Sequence, residues 1–194
     1  VWQGIRATAK VALGTDSLEG LTIAVQGLGK VGYDLCRLLH ESGAKLIVAN
    51  RSNKAIAEKA ADEFGAVIVP TEQIYAQECD IFSPNAMGAI LNPTNIAALN
   101  CKAVAGGANN QILDDASGLA LKARGIYYAP DFVINGGGVI NAAAEVDGPY
   151  NKDAVLEKVD NIYNSIEHIL TESKATGEPE GIIATRYAES IIYK

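Results

Sequence analysis

The sequence predicts an α/β fold, a doubly wound parallel sheet with helices on both faces and extra C-terminal helices. Three observations carry that expectation. Six short apolar runs alternate with stretches of helical spacing along the 194 residues, and strands separated by helices pair in parallel with both faces covered. A G-x-G-x-x-G pattern, Gly27, Gly29 and Gly32, falls between the first of these strands and the helix after it. A content of 48% hydrophobic and 20% charged residues describes a globular chain, and its length suits one domain with a substantial core.

Trp2, Ile5, Ala9 and Ala12 recur at helical spacing with no N-cap residue ahead of them, so the sequence reads as starting inside a helix. After Gly14 and the polar TDSLEG, LTIAVQ at 21–26 is a short buried strand. Lys30 to Ser42 is a helix with Val31, Leu35, Leu38 and Leu39 on its apolar side; Gly43 closes it, and KLIVAN at 45–50 is the second strand. A helix from Lys54 to Phe64 ends at Gly65, AVIV at 66–69 is the third strand, and CDIFSPNAM at 79–87 is a fourth strand running into a loop. KAVAGGANNQI at 102–112 and GIYYAP at 125–130 supply two more strands around a helix from Asp115 to Arg124.

DFVINGGGVINAAAEV follows, and then one long helix carries Val155, Val159, Ile162, Ile166 and Ile169 on a single face. GEPEG breaks that helix before a last amphipathic one from about Gly181. Apolar stripes at this spacing predict that the C-terminal helices pack into the domain core rather than forming an oligomer surface. The sequence shows no internal repeat and no low-complexity linker.

A net charge of −7 gives no general attraction to phosphate backbones or anionic lipid, and no run of 18 apolar residues occurs. Nucleic acid and membrane are therefore not expected as partners. Cys36, Cys79 and Cys101 are odd in number, form no C-x-x-C pair and lie in or beside apolar runs, which predicts buried free thiols and a reducing cytoplasm. His40 at a helix end and His168 among acidic neighbours read as structural or solvated, and no cluster has metal-ligand spacing, so no metal is expected. Tyr127, Tyr128 and Phe132 flank a strand end, where packing under the sheet is the expected use.

The glycine turn carries the chemistry. In a strand–turn–helix context the first glycine permits the tight turn, the second lets a pyrophosphate approach the backbone, and the third allows close helix-to-strand packing. The helix start then offers unpaired amides and a partial positive charge to phosphates. Gly27, Leu28, Gly29, Lys30, Val31 and Gly32 thus form a candidate dinucleotide cradle in a Rossmann-like domain.

The end of the second strand, ~20 residues beyond the glycines, is where an NAD site places Asp or Glu for the adenosine 2′-OH. Asn50 stands there instead, followed by Arg51, Ser52, Asn53 and Lys54. A neutral amide beside cations and a hydroxyl suits the 2′-phosphate of NADP, which an aspartate would repel. The NAD(P) expectation accordingly favours NADP over NAD. In the alternative reading Ser52 or Asn53 simply caps the next helix and Asn50 binds an NAD ribose.

SLEGLTIAVQGLGKVG, CDIFSPNAMGAILN, AVAGGANNQ and YAPDFVINGGGVIN together resemble the cofactor domain of the glutamate/leucine/phenylalanine/valine dehydrogenases, in order over nearly the whole sequence. The SLEGL and DFVIN segments are more similar to the leucine, valine and phenylalanine branch. The resemblance implies reversible oxidative deamination of an L-amino acid to a 2-oxo acid and ammonia, with hydride passing to NAD or NADP, by a parent enzyme that is a homo-oligomer. It implies that Ser83, Pro84, Asn85 and Ala86 line the path beside the cofactor, and that Ala108 and Asn110 approach the nicotinamide. Asn110 would also hold the amino acid's polar end, Asn135 would contact nicotinamide or substrate, and Val139 and Ala142 would face the substrate side chain. The segment after Asn135 departs from the family's N-A-G-G, since Gly136 replaces the alanine.

The family's substrate-binding and catalytic lysines belong to a separate domain, one of them in a P-x-G-G-x-K segment that does not occur in this sequence. The catalytic aspartate of that domain has no match here either. By this resemblance residues 1–14 form a hinge helix, 15–150 the Rossmann core and 151–194 C-terminal helices, with the catalytic domain outside the sequence and no catalytic residue within it. A non-catalytic nucleotide sensor is the competing expectation. A shikimate-dehydrogenase type, suggested by Asn50-Arg51-Ser52, is not followed by the remaining motifs.

Overall fold

Alternating short apolar strands and amphipathic helices leave the chain one economical arrangement, a sheet sandwiched between helical layers. The computed structural model, which describes residues 1–146 and 149–193, has it. Asp147, Gly148 and Lys194, which fall inside the expected Rossmann core and C-terminal helices, lie outside the described residues. Helix α1 (Trp2–Leu13) precedes β1 (Thr22–Gln26), α2 (Lys30–Glu41), β2 (Lys45–Ala49), α3 (Lys54–Phe64) and β3 (Val67–Ile68). Then come a 3₁₀ helix (Thr71–Ala76), β4 (Ile81–Pro84), α4 (Pro93–Ala98), β5 (Ala103–Val104), α5 (Asp115–Ala123) and β6 (Tyr127–Tyr128). Helices α6 (Asp131–Ile134), α7 (Gly137–Val146), α8 (Lys152–Asp160), α9 (Ile162–Thr176) and α10 (Glu180–Ile192) complete the order.

The six strands pair in parallel in the order β3-β2-β1-β4-β5-β6. Successive strand residues point to opposite faces, and the two cores follow that alternation. Ile23, Val25, Leu46, Val48 and Ile81 join Ile5, Leu35, Leu39, Phe64, Ile162 and Ile166 on the face covered by α1, α2, α3 and α9. Ala24, Ala49, Phe82 and Val104 join Ile74, Ile96 and Leu121 on the face covered by the 3₁₀ helix, α4 and α5. The central strand β1 is buried on both sides, whereas Val67 and Ile68 of edge strand β3 are exposed.

Several boundaries have local causes. Asn53, Asn92, Asp114 and Asn151 cap α3, α4, α5 and α8 through side-chain oxygens that accept backbone N–H bonds. Gly14, Gly65 and Gly177 end α1, α3 and α9 in the left-handed conformation that glycine adopts without strain.

Four expectations need correction. The single long helix is two, α8 and α9, which meet at Asn161, although Val155, Ile162, Ile166 and Ile169 are all buried as expected. Val31 does not join the apolar side of α2 but is exposed. Phe132 is exposed rather than packed under the sheet, while Tyr128 is buried. Of the thiols only Cys36 is buried; Cys79 and Cys101 are half-buried. The expected core packing describes α9, which lies against α1, and one side of α10, where Ile183 and Ala184 meet Ile169. Ile182, Ile191, Ile192 and Tyr193 of α10 remain exposed.

Candidate functional site

The strand order reverses between β1 and β4, and in such sheets the crevice beyond the carboxyl ends of the strands is the binding edge. The candidate residues gather there. Gly27 ends β1 with φ +91°, and a Cβ on it would stand 2.7 Å from the Ala86 Cβ. A Cβ on Gly32 would lie 2.0 Å from the Gly27 carbonyl oxygen, so α2 sits against the turn at a distance that only glycine permits. Around Gly29 a Cβ would meet nothing within 4 Å. The space beside it is open.

Gly29 is also the N-cap of α2, and no side chain caps that helix. Its first amides are left for an outside acceptor, with the positive end of the helix dipole behind them. The contrast with the asparagine- and aspartate-capped starts of α3, α4, α5 and α8 is direct.

Asn50 ties the glycine turn to the next one. Its Oδ1 accepts from the Leu28 N–H at 3.0 Å, and its Nδ2 donates to the Asn53 carbonyl at 2.9 Å. Asn53 caps α3 as the alternative reading expected, leaving Arg51, Ser52 and Lys54 exposed and uncommitted to that cap. A cavity of about 550 Å³ is shared by the glycine turn, through Leu28, Gly29 and Lys30, and the β2–α3 turn, through Asn50, Ser52 and Asn53. Tyr33, Asp34 and Ile56 complete its lining. Sequence reasoning missed these three, although their helical spacing from Lys30 and Asn53 turns them toward the same side.

The loops after β4 and β5 interlock. Asn85 donates from Nδ2 to the Ser83 carbonyl and hydroxyl, both at 3.0 Å, and accepts the Gly107 N–H on Oδ1 at 2.9 Å. Ser83 is fully buried and Pro84 is buried, while Asn85 is half-buried and Ala86 exposed. The Ala108 N–H donates to the Pro84 carbonyl at 3.0 Å. Val31, exposed rather than in the core, comes close to Gly107 of the loop after β5.

Asn110 has φ +51°, in the left-handed region that asparagine tolerates better than most residues. Asp131 fixes it by accepting the Asn110 N–H on one carboxylate oxygen and the Tyr128 hydroxyl at 3.0 Å on the other. Burial first, and then the charge of Asp131, pushes the Tyr128 phenol well above its ordinary value, which keeps it a hydrogen donor. Asn135 donates to the Asn109 side chain, which ties it to the loop that carries Asn110. Gln111, fully buried, donates to the Gly106 and Ala108 carbonyls at 2.7 and 2.9 Å. Asn109, Gln111 and Asp131 were missed as site supports; the ANNQ run and the acid after Pro130 were their signal. Val139 and Ala142 stand apart, exposed on α7, which packs against α8.

Among the described residues no group of three or more His, Cys, Asp or Glu is placed to hold a metal ion. No described helix is long and apolar enough to cross a membrane.

Sheet order and strand–glycine–helix turn define a Rossmann-type α/β domain. Residues 46–188 match the family described as Glutamate/Leucine/Phenylalanine/Valine dehydrogenase, and the chain belongs to that family. It is 50% identical over 192 residues to leucine dehydrogenases of Thermoactinomyces intermedius and of Bacillus subtilis, covering 99% of this chain and 52% of each relative. The crystal structure of L-tryptophan dehydrogenase from Nostoc punctiforme is similar at a TM-score of 0.93 and 39% identity, covering 97% of this chain and 56% of that one. The chain thus spans about half the length of the relatives it matches.

Proposed function

We propose that this chain is the cofactor-binding domain of an amino-acid dehydrogenase that oxidatively deaminates an L-amino acid of the leucine, valine or phenylalanine type to its 2-oxo acid. Relatives named leucine, phenylalanine and L-tryptophan dehydrogenase support the substrate class. The observation that carries the cofactor role is the uncapped start of α2 facing open space at Gly29, beside the cavity bounded by Asn50 and Ser52. Residues 1–14 serve as the hinge helix, 15–150 as the Rossmann core and 151–194 as the C-terminal helices. The catalytic lysines come from a further domain.

NAD(P), when bound, supplies the acceptor for the hydride that leaves the substrate Cα. The first amides of α2 receive its diphosphate, as a helix start receives an anion. Arg51, Ser52 and Lys54, beside Asn50, supply charge and donors for a 2′-phosphate, so NADP is the favoured form. Asn50 has a more specific part than a simple contact: with Leu28 and Asn53 already bonded to it, it holds the two turns at a fixed spacing. On the nicotinamide side, Asp131 and Gln111 hold Asn110 and Ala108 in place. Such positioning lowers the entropy cost of bringing the two reacting carbons together. Asn135 orients the same loop through Asn109, and the exposed Val139 and Ala142 lie on the substrate side. The parent enzyme works as a cytoplasmic homo-oligomer.

Arg51→Glu tests the reading more cleanly than a change at Asn50, which would disturb the turns. Calorimetric titration should show NADP⁺ affinity falling at least about tenfold, the equivalent of 1.4 kcal/mol, with NAD⁺ affinity nearly unchanged. Equal losses for both nucleotides would discard the 2′-phosphate role.

A further inference from the structure

The opposite edge of the sheet, where the strands begin, holds a second feature. β4 and β5 pair in parallel with Ile81 opposite Ala103, and Cys79 and Cys101 each lie two residues ahead of those partners. The two cysteines are therefore neighbours across adjacent strands. Adjacent strands are spaced ~4.8 Å, inside the ~4.4–6.8 Å between Cα atoms that a disulfide spans. The Cys79 N–H donates to the Asn100 carbonyl at 3.1 Å and the Lys102 N–H to the Asp80 carbonyl at 3.1 Å, which holds the two segments side by side. Both side chains pack against the same apolar core. Both also line one cavity of about 450 Å³, together with Glu78, Asp80 and Lys102.

We propose that Cys79 and Cys101 form a reversible intramolecular disulfide on reaction with hydrogen peroxide, a modification site separate from the nucleotide crevice. The Cys101 sulfur attacks one peroxide oxygen, the O–O bond breaks, and hydroxide leaves. The sulfenic acid so formed on Cys101 is attacked by the Cys79 sulfur, which makes the S–S bond and expels a second hydroxide. The two thiol protons convert both hydroxides to water, so two thiols are oxidised and one peroxide is reduced.

The order of attack follows from the surroundings. Cys101 is held below its ordinary thiol value, chiefly by the hydrogen bond from Cys79 and further by the Phe82 and Ala103 amides and Arg124, and the thiolate is the nucleophile. Cys79 is raised by Cys101 beside it and by burial, which suits a resolving thiol that reacts second. Cys36 is the internal control, because it is fully buried and burial pushes its thiol up to about 12.

The test is peptide mapping of the protein after peroxide treatment in the folded state. Remaining thiols are alkylated after unfolding, and the chain is cut on the amino side of Asp80, which separates Cys79 from Cys101. The expected result is one linked peptide pair containing Cys79 and Cys101, released by dithiothreitol, with Cys36 recovered alkylated. In the Cys101→Ser variant Cys79 should be recovered alkylated, with no linked peptide. Recovery of both residues alkylated, or of either as a sulfinic or sulfonic acid without the linked pair, would overturn the proposal. So would linkage of Cys79 or Cys101 to a second molecule.

Discussion

Two turns meet at the carboxyl edge of the sheet, and they spend their polar groups in opposite ways. The turn after β1 is made of backbone and empty space: Gly29 has nothing beside it and the first amides of α2 have no side-chain cap. The loops after β4 and β5 spend their side-chain donors internally, with Asn85, Gln111 and Asn135 donating to neighbouring loop atoms or side chains and Asp131 accepting from the Asn110 N–H, although the Gln111 Oε1 is buried without a partner among the described residues. In the proposed function, donors left free are where a ligand's charge would be received. Donors consumed mark where geometry is to be held. The same edge thus separates binding from positioning.

The comparison breaks most easily at Gly32. Its Cβ position is 2.0 Å from a backbone oxygen, so Gly32→Ala should cost about 3 kcal/mol through forced backbone shifts, read by urea unfolding. Gly29→Ala, in open space, should leave stability within about 0.5 kcal/mol while NADP⁺ binding weakens; a large loss of stability there would mean that the space is not free. At the start of α6, beside those loops, Asp131→Ala leaves the buried Tyr128 hydroxyl without its acceptor and should cost about 2 kcal/mol. Adding Tyr128→Phe should recover part of that loss, since removing both partners is milder than orphaning one. A double variant no more stable than the single one would show that the pair does not brace the loop.

Much of this was legible in the residues. The three glycines announce themselves by their G-x-G-x-x-G spacing between a strand and a helix, with Gly27 and Gly32 at positions that leave no room for a Cβ, and the strand–helix alternation follows from apolar period. The break at Asn161 was hidden, since the apolar stripe from Val155 to Ile169 runs across it without interruption. Helix α4 and the 3₁₀ helix are each only 6 residues long, too short for a period to show, and α4 depends on the Asn92 cap and Pro93. The position of Asn50 was readable but not its bonding: an amide both donates and accepts, and only the fold brings the Leu28 N–H and the Asn53 carbonyl to it. The bond from Asn110 to Asp131 spans 21 residues. Its existence depends on β5 and β6 lying side by side, a fact of topology. Val31 was misplaced for a related reason, since an apolar residue at helical spacing reads as core until the fold shows it exposed beside Gly107.

Amide chemical-shift mapping by NMR during addition of NADP⁺ tests the central claim most directly. The largest changes should fall on Leu28 to Gly32, where α2 begins, with a second group from Asn50 to Lys54. Changes absent from α2's first turn, or gathered at the strand-start edge around Cys79 and Cys101, would contradict the account.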